Sequence, residues 1–292
     1  MTDNLRGSLL MVLAMALFAL EDMLIKLLSA SFPVGQIIAF LGVGGALIFG
    51  LMVWLRGEPL WPPALWSGPV IIRNLGEMVA AMSFVMAIAL TPLSSASAIL
   101  QATPLAVTLG AVLFLGEKVG WRRWGAILAG FFGVLLVIRP GLEGFEPASL
   151  LAVVAVFALA ARDLATRRVP AAVSSYQLSA WAYAAMIPAG LLLTAFSTRA
   201  ASLPDGMQAL QFTAMLVLGL GAYYALVGAV RTGEVSVVTP FRYSRMLFAL
   251  IIGVVVFAER PDAATLTGAA IIVGAGVFTI LRERAQRGSQ PA

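Results

Sequence analysis

Of 292 residues, 61% are hydrophobic and 11% charged, with a mean hydropathy of +0.97, a balance that excludes a soluble globule. Cysteine and histidine are both missing, which removes thiolate metal sites, thiol nucleophiles and imidazole acid–base chemistry. A net charge of +5 and a pI of about 10.1 would suggest nucleic acid for a soluble chain, but here the basic residues gather at the ends of apolar runs, where membrane orientation accounts for them, so no nucleic-acid partner is expected.

About 20 apolar residues cross a bilayer core. Cutting at the Pro, Gly and charge clusters predicts ten spans, at 8–29, 34–55, 69–90, 95–115, 123–139, 149–167, 174–197, 209–230, 236–257 and 263–281. The opening MTDNLRGSLL has one basic residue ahead of an apolar run and no A-x-A site soon after, so it reads as a retained first span. Connections are short, which leaves no room for an extramembrane domain. The fold class is thus an all-α polytopic membrane protein of ten transmembrane helices.

The two halves repeat. Residues 7–36 lie on 148–177 without a gap, placing Ser8 on Ser149, Asp22 on Asp163, Lys26 on Arg167 and Gln36 on Gln177. Further on, Glu117 falls on Glu259, and Gly125 and Gly133 fall on Gly268 and Gly276 after one inserted residue. The domains are therefore 1–145 and 146–292, two five-span repeats. A repeat with an odd number of spans inserts upside down relative to its twin, the architecture of alternating-access carriers.

Orientation follows from the basic residues. With the N-terminus in the cytoplasm, Arg6, Arg56, Lys118, Arg122, Arg123, Arg167, Arg168, Arg231, Arg282, Arg284 and Arg287 lie inside and only Arg139, Arg199 and Arg260 outside, eleven against three. Both termini are expected in the cytoplasm. Asp22 and Lys26 then sit toward the outer mouth and Asp163 and Arg167 toward the inner one, as candidate gating or coupling groups.

The pattern resembles the ten-span branch of the drug/metabolite transporter superfamily, which includes bacterial exporters of amino acids and related metabolites. The stretches that carry the likeness are PLAVTLGAVLFLGE, from Pro104 to Glu117, and its weaker copy from Met246 to Glu259. The resemblance implies a central cavity lined mainly by spans 3, 4, 8 and 9, with spans 5 and 10 peripheral. It supplies no catalytic residue. Because Met246 stands where Pro104 does in the first copy, no kink is carried over to span 9.

Nine ionisable side chains fall inside the spans: Glu21, Asp22, Lys26, Arg73, Glu77, Arg162, Asp163, Arg242 and Arg245. Each costs roughly 2.5–3.5 kcal/mol at mid-membrane and must face a cavity or a partner. Arg73 and Glu77 share a face of span 3 with Asn74 alongside, either as an i,i+4 ion pair or as a substrate contact. Arg242 and Arg245 flank Tyr243 with no acid in their own helix. Glu77 or Asp163 is a possible partner for one of them across the cavity, which leaves two positive charges unmatched in the inner half. A substrate carboxylate fits that surplus.

Met78, Met82, Trp181, Tyr183, Tyr223 and Tyr224 are candidates for an adaptable cavity wall, with helix packing as the alternative. Gln101 and Thr103, beside Pro104, are the polar candidates in span 4, because proline frees a carbonyl. Gly125, Ala129 and Gly133 in span 5, and Ala270 and Gly274 in span 10, form flat strips for close helix contact.

The favoured function is a secondary transporter of the bacterial inner membrane that exports amino acids or similar small metabolites, with a zwitterionic substrate, the lipid bilayer as its surroundings and a monomer or weak homodimer as its state. Phosphorylated metabolites or nucleotide sugars are an alternative cargo, and a membrane receptor or sensor an alternative class. No Walker motif supplies ATP chemistry, no nucleophile–base set supports an intramembrane enzyme, and neither cofactor nor metal is implied.

Overall fold

A computed structural model describes residues 3–116, 120–142, 145–170 and 172–287, apart from the side chains of 123, 235, 236 and 282–287. Glu117 and Lys118, and the side chains of Arg123, Arg282, Arg284 and Arg287, therefore lie outside the described residues. All regular structure among the described residues is helical: α1 (Asp3–Ser29), α2 (Val34–Leu55), α3 (Gly68–Leu90), α4 (Leu93–Leu100), α5 (Thr103–Leu115), α6 (Trp121–Ile138), α7 (Ser149–Thr166), α8 (Ser175–Ala195), α9 (Gly206–Thr232), α10 (Val235–Val238), α11 (Ser244–Phe257) and α12 (Ala263–Arg287). Short 3-10 turns add Pro63–Trp66 and Thr239–Tyr243.

Nine of these helical stretches are long and apolar enough to cross a membrane, α4 with α5 counting as one and Thr239–Phe257 as another. The expected fifth span corresponds to α6, whose described apolar part is the shorter stretch Trp124–Ile138. Large apolar side chains cover the outside, among them Leu47, Leu128 and Val255, as a lipid-facing surface requires.

Local chemistry sets the helix ends. Pro33 and Pro92, which cannot continue a preceding helix, stand directly before α2 and α4. Reciprocal capping boxes start α8 at Ser174 with Gln177, and α9 at Asp205 with Gln208. Left-handed residues stop α5 at Gly116 (φ 68°) and α11 at Ala258 (φ 53°). Span 9 is broken after all. Pro240 sits in the 3-10 turn between α10 and α11, so the break comes from a proline six residues before Met246 and not from the Pro104 position.

Four helix pairs dominate the packing, α2 with α8, α1 with α9, α3 with α7 and α6 with α12, while α1–α11, α3–α8, α5–α7 and α4–α11 make lesser contacts. Two of these seams are backbone against backbone. A Cβ at Gly42 would stand 2.9 Å from the Tyr183 carbonyl, and Gly35 and Gly190 lie against each other's helix just as closely. Across α6 and α12, a Cβ at Gly133 would meet the Gly268 carbonyl at 2.7 Å and one at Gly268 the Gly133 carbonyl at 2.6 Å. Of the flat strips expected in spans 5 and 10, Gly133 makes a close contact, but with Gly268, outside the expected Ala270 and Gly274 strip, whereas Gly125 and Gly274 have open space where a Cβ would go. Gln36 and Gln177, matched in the repeat, do the same work in each half. Gln36 donates to the Ser202 carbonyl at 2.7 Å and Gln177 to the Pro59 carbonyl at 2.7 Å, each tying the loop that follows the other's helix.

Candidate functional site

The breaks in two crossings face one another. Between α4 and α5 the backbone turns at Gln101 and Ala102, because Pro104 has no N–H to offer, and the Thr103 hydroxyl donates to the Leu100 carbonyl at 2.6 Å. Across the gap, the 3-10 turn before α11 frees carbonyls of its own. The Gln101 amide donates to those of Arg242 (3.4 Å) and Tyr243 (3.3 Å), bridging the two breaks. In inverted-repeat transporters, discontinuous helices at mid-membrane with polar groups turned inward are where cargo is held.

Around the breaks lie the ionisable groups, and most are paired. Arg245 forks onto Asp22 with contacts of 2.7, 2.9 and 3.1 Å, joining α11 to α1, and its guanidinium lies 5.1 Å from the Phe18 ring centroid and 5.4 Å from that of Phe84. Arg162 donates to both Glu77 oxygens at 3.1 and 3.2 Å and to Asp163 at 2.9 Å. Arg73 completes that cluster, donating to the Leu178 carbonyl (2.9 Å) and to Asn74 (3.1 Å) and lying 3.6 Å from Glu77 as the expected i,i+4 pair.

Arg242 is different. It is exposed, and its guanidinium makes no hydrogen bond or ion pair with any described residue. Asp163, Arg162 and Arg245 lie close enough to act on it electrostatically. Two expectations are corrected here. Glu77 reaches neither Arg242 nor Arg245, because Arg73 and Arg162 already hold it, and the surplus is one guanidinium instead of two, because Asp22 takes Arg245. The twin acids also differ. Asp22 ties two helices together, whereas the hydrogen bonds to Asp163 come from its neighbour Arg162.

Toward the end of the bundle away from residue 3, a second cluster closes over α1, α4 and α11. Glu259, held just past the left-handed Ala258, accepts the backbone N–H groups of Leu93 (2.6 Å) and Ser94 (3.0 Å) and the Ser94 hydroxyl (2.7 Å). A carboxylate on the first N–H groups of α4 is favoured by the helix dipole as well as by hydrogen bonding. Lys26 lies 3.4 Å from Glu259 and donates to the Thr91 and Ile88 carbonyls at 2.5 and 3.3 Å. Sequence reasoning placed Lys26 near a mouth but assigned no role to Glu259, whose only signal was its match to Glu117. Arg167, the residue matched to Lys26, caps the C-terminus of α7.

The aromatic candidates divide. The Tyr183 ring stacks on Phe49 at 5.6 Å, and Tyr223 meets Phe49 edge-on at 5.6 Å; Tyr223 also acts on Arg73, which links this aromatic group to the charged cluster. Met78 and Met82 on α3 are half-buried, Met82 against the core. Three candidates are not brought to the cluster. Tyr224 is 82% exposed, Trp181 crosses Trp61 at 3.9 Å and donates to the Leu60 carbonyl, and Tyr243 is buried against Gly276 of α12 with its hydroxyl unpartnered among the described residues.

A helical bundle of membrane-crossing length, broken twice at a polar interior, defines a multi-pass membrane transporter. The chain belongs to the EamA-like transporter family, whose profile matches it twice, at residues 5–139 and 147–282. It is 29% identical to a riboflavin transporter of Rhizobium johnstonii over 98% of this chain and 94% of that protein. An S-adenosylmethionine uptake transporter of Rickettsia felis is 27% identical over 73% of this chain and 72% of its own, and the pseudopaline exporter CntI of Pseudomonas aeruginosa is 28% identical over 97% of both. A solved structure shares the fold, with a TM-score of 0.59 at 20% identity across 99% of each chain.

Proposed function

We propose that the chain is a secondary transporter of a bacterial inner membrane, exporting amino acids or related small zwitterionic metabolites by alternating access between two inverted five-span repeats. The observation that carries this reading is the Arg242 guanidinium, which stands without a partner beside breaks in two helices while the other intramembrane arginines are bonded. One free planar cation suits one carboxylate, which it can receive through two parallel hydrogen bonds. A doubly charged phosphate would favour the two-arginine surplus that Asp22 removes, so the phosphorylated cargo is the weaker alternative. Glu77 and Asp163 line the same region and suit the ammonium end.

The packing supports the repeat. Exchanging the halves maps the α2–α8 and α6–α12 pairs onto themselves and turns α1–α9 into α7–α3 and α1–α11 into α7–α5. Both matches of the family profile fall on the same division. S-adenosylmethionine, the cargo of one relative, ends in an amino-acid group of the kind Arg242 would receive.

The test compares free amino acids with their amides, alongside sugars and phosphates, in proteoliposomes. Arg242→Gln is expected to weaken binding of the acids by about 1.5–3 kcal/mol, the range for a charged hydrogen bond, and that of the amides far less. A parallel loss for acid and amide would remove Arg242 from the substrate site.

A further inference from the structure

Within the spans, one acid has no partner. Glu21 makes no hydrogen bond or ion pair with any described residue, although Asp22, its neighbour, is bound bidentately by Arg245. Its carboxyl instead lies against α9 at Gly219, the midpoint of that helix, where an added Cβ would stand 2.8 Å from the carboxyl carbon and 3.0 Å from one oxygen. A glycine leaves that seat open. The residue is only half-buried.

The charged and titratable groups around it come from several elements. Asp22 and Lys26 share its helix, Arg245 faces it from α11, Arg242 and Tyr243 belong to the turn packed on α1, and α3 contributes Arg73 and Glu77. Tyr183 of α8 lies within its electrostatic reach, and Tyr223 of α9 stands one turn from Gly219, with Tyr224 beside it and Arg231 at the helix end. The other elements packed on α1, namely α2, α4 and α10, contain no ionisable residue. Of these groups Asp22 and Arg245 lie close enough to act on the Glu21 carboxyl electrostatically, and they are already joined to each other.

We propose that Glu21 is the proton-binding carboxyl of the transport cycle, taking up one proton from one side of the membrane and releasing it to the other as substrate moves the opposite way. This rests on the reading of the chain as a secondary transporter. Protonated, the carboxyl is neutral and sits against Gly219 without a counter-charge. Ionised, it sets a second negative charge beside Asp22, and the two carboxylates then share Arg245. The tie between α1 and α11 therefore differs between the two protonation states, which is the differential interaction a coupled carrier needs. Asp22, Glu77 and Asp163, each held by arginine, are poorly placed to give and take a proton without breaking a helix contact.

Infrared spectroscopy of the purified full-length protein in lipid tests this with protons as the only ligand. The wild type should show a protonated-carboxyl band that titrates, and Glu21→Gln should lose it. Gly219→Ala should move its midpoint, while Gly221→Ala, whose Cβ would meet only Leu17 at 3.6 Å, should not. A band that survives in Glu21→Gln, or that moves equally in both alanine variants, overturns the proposal. In proteoliposomes loaded with labelled amino acids, an imposed pH gradient should accelerate efflux by the wild type and not by Glu21→Gln; equal acceleration of both also overturns it. Failure of every amino acid to cross, with the infrared result intact, refutes the substrate assignment and leaves the proton site standing.

Discussion

Replacing Glu259 by glutamine removes the charge that gathers α1, α4 and α11 at one end of the bundle. In the structure this carboxylate accepts three hydrogen bonds at 2.6–3.0 Å and faces Lys26 at 3.4 Å. Glutamine keeps one acceptor oxygen but turns an NH2 group toward a donor, so at least one charged hydrogen bond is lost, at about 1.5–3 kcal/mol. If the cluster holds only when this end is shut, the closed population falls by about 10- to 150-fold relative to the open one. The readout uses the absence of cysteine. Ser97, one turn into α4 and 2% exposed, is replaced by cysteine, and its labelling by an impermeant thiol reagent is timed. Glu259→Gln should speed labelling by a factor in that range, and Lys26→Met by less, since α4 keeps its cap. Labelling at the wild-type rate in Glu259→Gln would refute the cluster as a closure and leave it a local helix cap.

Two further expectations concern the surfaces. Trp61→Cys, 66% exposed in the wild type, should be labelled only from the cytoplasm and Leu203→Cys, 95% exposed, only from outside, as the basic-residue bias requires; the opposite pattern inverts the topology. Asp262, in the turn before α12, accepts hydrogen bonds from the Arg139 guanidinium and the Thr265 backbone, and these hold its carboxyl down at about 2. Since its folded value is depressed, the stability it contributes is present above about pH 4, its ordinary range, and is lost as the pH falls toward 2. Its NMR titration midpoint should rise in Arg139→Gln; an unchanged midpoint would assign the shift to the helix N-terminus alone.

The spans were legible in the sequence because burial in lipid demands unbroken apolar runs, and their ends because proline, glycine and the Ser174 and Asp205 boxes act locally. The repeat could be read from polar residues such as Gln36 and Gln177, which hold equivalent loops. The partners of the charges could not. Arg245 is 223 residues from Asp22 and Glu259 is 165 from Ser94, and residue types alone allow each arginine several acids. Counting charges in one half of the membrane therefore left two guanidiniums free where the fold leaves Arg242. The break in span 9 was missed for a related reason, since alignment pointed at Met246 while Pro240, six residues earlier, did the breaking.

The glycine seams constrain how this chain can change over evolutionary time. Where Gly133 faces Gly268, and Gly35 faces Gly190, the neighbouring helix leaves no volume for even a methyl group, so single substitutions there drive whole helices apart. The α4–α11 seam is closed instead by side chains such as Gln101 and Glu259, which can be exchanged one at a time. A lineage built this way can rewrite the side chains of that one seam while its scaffold stays frozen.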